Sequence, residues 1–140
     1  MPRTAILTPN APAPSPHLSQ AITHNGIIYT SGALGIHPTT RKLAGNAYKQ
    51  TNQALQNLSA ILASAHSSHK NILKATIYLS SMTYYADVNR AYLEFFEGEI
   101  KPSRTCVAVA ELPLKGADVE IEVIASINEE QVNSQRNSKL

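Results

Sequence analysis

A single cysteine in 140 residues excludes an internal disulfide framework and agrees with a reducing compartment. No block of like charge is present. The 12 basic and 10 acidic residues are interspersed and leave a net charge of +2, which provides no electrostatic footprint for DNA or RNA. Apolar runs are only a few residues long, too short to cross a bilayer. The opening Met1-Pro2-Arg3-Thr4-Ala5-Ile6-Leu7 lacks the apolar length of a secretory signal. What remains is an ordinary globular composition, 43% hydrophobic and 16% charged, with the length of one domain and enough chain to bury a core.

Residues 8–16 are proline-rich and cannot form a helix or a central strand. A strand is expected from about Gln20 to His24. Asn25-Gly26 supplies the left-handed conformers of a tight hairpin turn, and Ile27 to Thr30 returns as the second strand. Gly32, Gly35, Pro38 and Gly45 mark a long loop. From Asn46 to Ala65, Ala47, Ala54, Leu55, Leu58, Ile61, Leu62 and Ala65 recur at three- and four-residue steps, the stripe of an amphipathic helix. Lys74 to Ser80 alternates like a half-buried strand. Thr83 can cap a second helix, with Tyr85, Val88, Ala91, Tyr92, Phe95 and Phe96 as its apolar face. Lys101-Pro102 breaks the chain before two last strands, near 104–111 and 119–127. The order β-β-α-β-α-β-β predicts an α+β layer with both helices on one face of the sheet.

Two charged residues stand out in those last strands. Pro102-Ser103-Arg104-Thr105-Cys106-Val107-Ala108-Val109-Ala110 keeps a permanent cation beside apolar residues, and Val119-Glu120-Ile121-Glu122 follows Leu112-Pro113. Arginine cannot be deprotonated, and its planar fork of donors matches a carboxylate. Arg104 therefore reads either as an anion anchor or as half of a strand-end ion pair on a solvated face, which would contribute little. Cys106 could be a nucleophile, but no histidine is placed by sequence to activate it, and a small buried thiol is more often packing. His66 and His69 share a helical face without a third ligand at metal spacing.

The Ser-Arg-Thr-Cys-Val-Ala-Val-Ala segment with Leu-Pro and Val-Glu-Ile-Glu resembles the C-terminal signature of the reactive-intermediate deaminase A family (RidA, also called YjgF). Tyr29-Thr30-Ser31-Gly32 and Asp87-Val88-Asn89-Arg90-Ala91-Tyr92 extend the resemblance over roughly residues 11 to 127. It implies a chorismate-mutase-like fold, two helices on one face of a six-stranded sheet, assembled as a homotrimer with clefts between subunits. It also implies hydrolysis of 2-imino or enamine acids to 2-oxo acids and ammonia, with no metal or organic cofactor required. The family's carboxylate-binding arginine falls on Arg104 and its water-activating glutamate on Glu120. Its pocket serine and glycine fall on Ser31 and Gly32, its pocket asparagine on Asn89, and a ligand-contacting cysteine on Cys106. Leu18 stands where the family commonly has a pocket tyrosine and brings no hydroxyl; His17 beside it would point to the opposite face of a strand. Ala33 replaces a frequent glutamine, and the Leu114-Lys115-Gly116 turn is one residue longer than in similar chains. Alternatives to the deaminase are a non-catalytic binder of 2-oxo acids or related carboxylates, a pathway member with altered substrate, and a ribonuclease, which the weak charge and absence of a histidine pair argue against.

If strands 104–111 and 119–127 form a hairpin around Lys115, Arg104 and Glu120 lie about six residues apart at ~3.3 Å each, too far for one small ligand. The expectation is a cleft that takes them from different subunits. Residues 1–127 then form the single domain, and 128–140 are expected to be a disordered polar tail. Its last residues, Ser138-Lys139-Leu140, match the tripeptide read by the peroxisomal import receptor, which predicts a peroxisomal location, with cytosol or mitochondrion as alternatives.

Overall fold

The structure, a computed structural model, describes residues 2–138. Strands β1 (Thr4–Ile6), β2 (Ala21–His24), β3 (Ile27–Thr30) and β4 (Ala33–Leu34) precede helix α1 (Ala47–Ser64). Strand β5 (Ile72–Leu79), helix α2 (Tyr85–Phe95), strands β6 (Ser103–Ala108) and β7 (Val119–Ser126), and helix α3 (Glu129–Asn137) complete the order. The sheet runs β1-β2-β3-β7-β5-β6, with β4 also paired to β7. It therefore has seven strands, where the resemblance implied six, and two more than the five read from the sequence pattern. The additions are the N-terminal segment on the β2 edge and the two-residue β4, which Ser31-Gly32 separates from β3.

The local elements follow their side chains. Asn25 and Gly26 both take positive φ, 51° and 78°, and close the β2–β3 hairpin as the Asn-Gly pair predicts. Asn46 caps α1, its side chain accepting from Lys49 N at 2.9 Å, an interaction typically worth ~1 kcal/mol. Thr83 is not the cap expected for α2. Ser81 takes that role, accepting from Thr83 N at 3.1 Å and opening a short 3-10 turn over Met82–Tyr84 that leads into the helix.

Alternation divides the sheet cleanly. Ala75, Ile77 and Leu79 of β5 and Val119, Ile121, Val123 and Ala125 of β7 are buried against Leu55, Leu58 and Leu62 of α1 and Val88, Tyr92 and Phe96 from the α2 segment. The intervening residues, including Tyr29, Tyr78, Glu120, Glu122 and Ile124, face the other way and are half-buried or exposed. Hydrophobic burial thus selects the register, because a one-residue slip would exchange the two faces.

The expected hairpin between the last two strands does not form. β5 lies between them: β6 pairs parallel to β5, and β7 pairs antiparallel to β5 on its other side. The physical reason is the helix. α2 connects β5 to β6 as a crossover, which parallel neighbours require, whereas a hairpin would have left α2 without a sheet face to cover. Residues 128–137 also differ from the expected floppy tail. Asn128 N donates to His66 O at 3.0 Å, Asn71 Nδ2 donates to Asn128 Oδ1 at 2.7 Å, and α3 starts from this anchor. Arg136 in its last turn suits the exposed carbonyls there. Of the C-terminal tripeptide expected to act as an import signal, only Ser138 is described; Lys139 and Leu140 lie outside the described residues.

Candidate functional site

The residues singled out from the sequence gather into two groups. The first is built on β6 and α2. Register pairs Arg104 with Ala75, so its side chain rises from the helix-covered face of the edge strand. There Arg104 Nη2 donates to Asn89 Oδ1. The guanidinium lies 4.6 Å from the ring centroid of Tyr92 and 5.8 Å from that of Tyr85. Tyr85, Asn89 and Tyr92 share a helical face at four- and three-residue steps, so α2 shapes the surroundings of the cation. Among the described residues no carboxylate pairs with Arg104, so its charge is not neutralised. Cys106, two residues along the same face of β6, is half-buried and packs against the core.

The second group lies where β3 stops and β4 begins. Leu18, Ser31, Gly32 and Glu120 together line a cavity of about 400 Å³. Ser31 fixes its edge, the hydroxyl donating to Ser19 O at 2.6 Å and the backbone N donating to Gln20 O at 3.0 Å. His17 sits in a turn rather than on a strand and is exposed. Gly32 makes room for the carboxylate: a Cβ there would stand 2.1 Å from Glu120 Oε1. Burial raises the Glu120 pKa above the ordinary carboxylate value, and the nearby Glu122 charge adds to the rise. Glu122 itself accepts from the Tyr78 hydroxyl at 2.8 Å.

Within one chain the two groups do not meet. Arg104 aligns with Ala75 and Glu120 with Tyr78, on opposite faces of the sheet, two strands and three residues apart. Strand spacing and the three-residue offset along the strands together separate their backbones by on the order of 14 Å. The hairpin that first suggested the separation is absent, yet the separation itself holds for a different reason. What the sequence missed is the company each group keeps. Tyr85 and Tyr92 read as packing, although their spacing from Asn89 on one helical face was the available signal. Ile61 read only as helix core and Pro113 only as part of the Leu-Pro motif; that they share a cavity wall with Leu34 is visible only in the folded chain.

The family described as Endoribonuclease L-PSP matches residues 8–127. The chain belongs to this family, the RidA/YjgF proteins. Mouse 2-iminobutanoate/2-iminopropanoate deaminase, a RidA relative, is 39% identical over 124 residues, which are 88% of this chain and 90% of that protein. The YjgF gene product of E. coli superimposes with a TM-score of 0.85 at 33% identity, covering 89% of this chain and 99% of that one. E. coli TdcF, solved with bound serine, gives a TM-score of 0.85 at 31% identity with the same coverage of each chain. Membership in the RidA family accounts for the two helices packed on a mixed sheet and supports imine or enamine deaminase activity at the level of the family.

Proposed function

We propose that this chain hydrolyses small 2-imino acids, and their enamine tautomers, to 2-oxo acids and ammonia. The observation that carries the reading is Arg104, a cation held by an uncharged amide oxygen and an aromatic face, with no carboxylate among the described residues to neutralise it. A guanidinium so held can take a substrate carboxylate through its fork and thereby position the adjacent C=N carbon. Glu120 takes the other role. Its raised pKa suits a group that accepts a proton from water as the water oxygen bonds to the imine carbon. The imine nitrogen gains a proton, the resulting carbinolamine loses its C–N bond, and ammonia leaves with the 2-oxo acid as the other product.

Because Arg104 and Glu120 lie on opposite faces of one chain's sheet, the reading requires a cleft shared between two copies. A homotrimer with three such clefts satisfies this requirement. The name of the mouse relative and the serine bound to TdcF support a small amino-acid-derived ligand. Asn89 holds the guanidinium, Cys106 lines its strand, and Ser31 and Gly32 shape the surroundings of the carboxylate. A second reading, a non-catalytic binder of 2-oxo acids, is favoured by Leu18, which offers no hydroxyl at the cavity edge. The ribonuclease activity in the family's description finds little support in a net charge of +2 without a basic stripe.

The test is direct. A dehydratase that generates iminopropanoate or iminobutanoate is run with and without this protein, and ammonia and 2-oxo acid are followed. Faster release with the protein is expected. Unchanged release, together with calorimetric binding of 2-oxobutanoate, selects the binder instead.

A further inference from the structure

The cavity beside Glu120 is larger and more apolar than the smallest imines need. Its volume of about 400 Å³ falls in the range of pockets that enclose drug-sized ligands, ~300–1,000 Å³. Pro14, Leu18, Ala33, Leu34, Ile61 and Leu114 contribute hydrocarbon to its wall, and Glu120 is the one charged residue of the lining. The amide side chains in that lining are already occupied. Gln20 Nε2 donates to Thr8 O and Pro12 O, both at 3.0 Å, and Gln20 Oε1 accepts from Thr8 N at 2.7 Å. Asn57 Nδ2 donates to Leu34 O at 3.1 Å and Ile36 O at 2.8 Å, while Asn57 Oδ1 accepts from Gln53. The Ser31 hydroxyl donates to Ser19 O. The wall therefore offers a substrate side chain hydrocarbon contact and few hydrogen bonds.

We infer that this cavity receives the substrate side chain, and that the chain prefers 2-imino acids with longer apolar side chains over those derived from alanine or 2-aminobutyrate. The inference rests on the deaminase reading and names the substrate class within it. A short side chain leaves the apolar wall in contact with water, whereas a longer one displaces that water and buries its own methylenes. Each methylene buried is worth roughly fourfold, so the three extra carbons of the norleucine-derived imine amount to roughly sixtyfold in kcat/KM over the alanine-derived one. A polar or charged side chain would lose its hydration without finding new partners. Leu18 is the natural residue to test, because it is 45% exposed and its replacement does not open the core.

A flavin amino-acid oxidase supplies the imines of alanine, 2-aminobutyrate, leucine and norleucine, and semicarbazide traps whatever the protein leaves unhydrolysed. The loss of semicarbazone then reports kcat/KM for each imine. The expected result is a preference of roughly sixtyfold for the norleucine imine over the alanine imine, falling in Leu18→Asn and in Leu114→Asn by roughly fourfold each. Circular dichroism confirms that both variants are folded. Hydrolysis of the short imines with no gain for the long ones overturns this inference and leaves the deaminase reading standing. A preference that neither variant reduces also overturns it, because the side chain would then sit elsewhere. No acceleration with any imine overturns both readings.

Discussion

Replacing Gly32 by alanine should damage the rate while sparing the fold. The added Cβ would stand 2.1 Å from Glu120 Oε1 and 2.8 Å from its Cδ, so the carboxylate must retreat by about 1.3 Å to reach ordinary contact at 3.4 Å. The atoms that must move end a flexible side chain, so the backbone can stay in place. The off-rotamer cost of ~0.5–1.5 kcal/mol is offset by the ~0.4–1 kcal/mol gained when a glycine is removed from the unfolded chain. The net change in stability is therefore within about 1 kcal/mol. Catalysis has no such compensation: a misplacement of about 1 Å costs on the order of 10²-fold. Gly35→Ala provides the contrast, because its Cβ would meet Gln50 O at 2.4 Å and Gln50 Cα at 2.5 Å. The backbone of α1 cannot step aside, and overpacking costs ~1–3 kcal/mol or more. Urea unfolding and the dehydratase-coupled rate, measured on both variants, separate the two effects. Full activity in folded Gly32→Ala would refute the role given to Glu120, and a stability loss matching that of Gly35→Ala would refute the packing argument.

Further expectations concern the two charged residues and the C-terminus. Arg104→Ala should abolish turnover and calorimetric binding of 2-oxobutanoate, and Arg104→Lys should stay badly impaired because a point charge cannot reproduce the fork; normal activity in either folded variant rejects the anchor. Glu120→Gln should lose ~10²–10⁴-fold in rate. The same variant should gain stability relative to wild type as pH rises: a raised native pKa means the folded state keeps a proton that the unfolded chain has released, so wild-type stability falls as pH climbs from the ordinary carboxylate range through the raised value. Urea midpoints that stay parallel across that window contradict it. Mixing inactive Arg104→Ala and Glu120→Gln chains under subunit exchange should restore a statistical share of intact clefts; mixed assemblies that form and remain dead place both residues in one chain's site. Removal of Ser138-Lys139-Leu140 from an N-terminally tagged protein should turn punctate fluorescence diffuse, and a full-length tagged protein that is already diffuse rejects the address.

Local patterns carried much of the architecture. Asn25-Gly26 specified its hairpin because few other residues tolerate two positive φ values in succession. The three- and four-residue spacing of Leu55, Leu58 and Leu62 marked α1, and the alternation of Ala75, Ile77 and Leu79 marked β5, because helix and strand geometry convert such spacing directly into a buried face. Arg104 and Glu120 were likewise visible as charges out of place in otherwise apolar strands. Strand order was not visible in this way. Proximity in sequence favoured a β6–β7 hairpin, while the need to cover the sheet with α2 placed β5 between them. That long-range choice put Arg104 among Asn89 and the tyrosines of α2, put Glu120 against Gly32, and set the two on opposite faces. The cavity wall was hidden for the same reason. Pro14, Leu34, Ile61 and Leu114 come from four separate segments, and only the packing of α1 against the sheet brings their side chains to one surface.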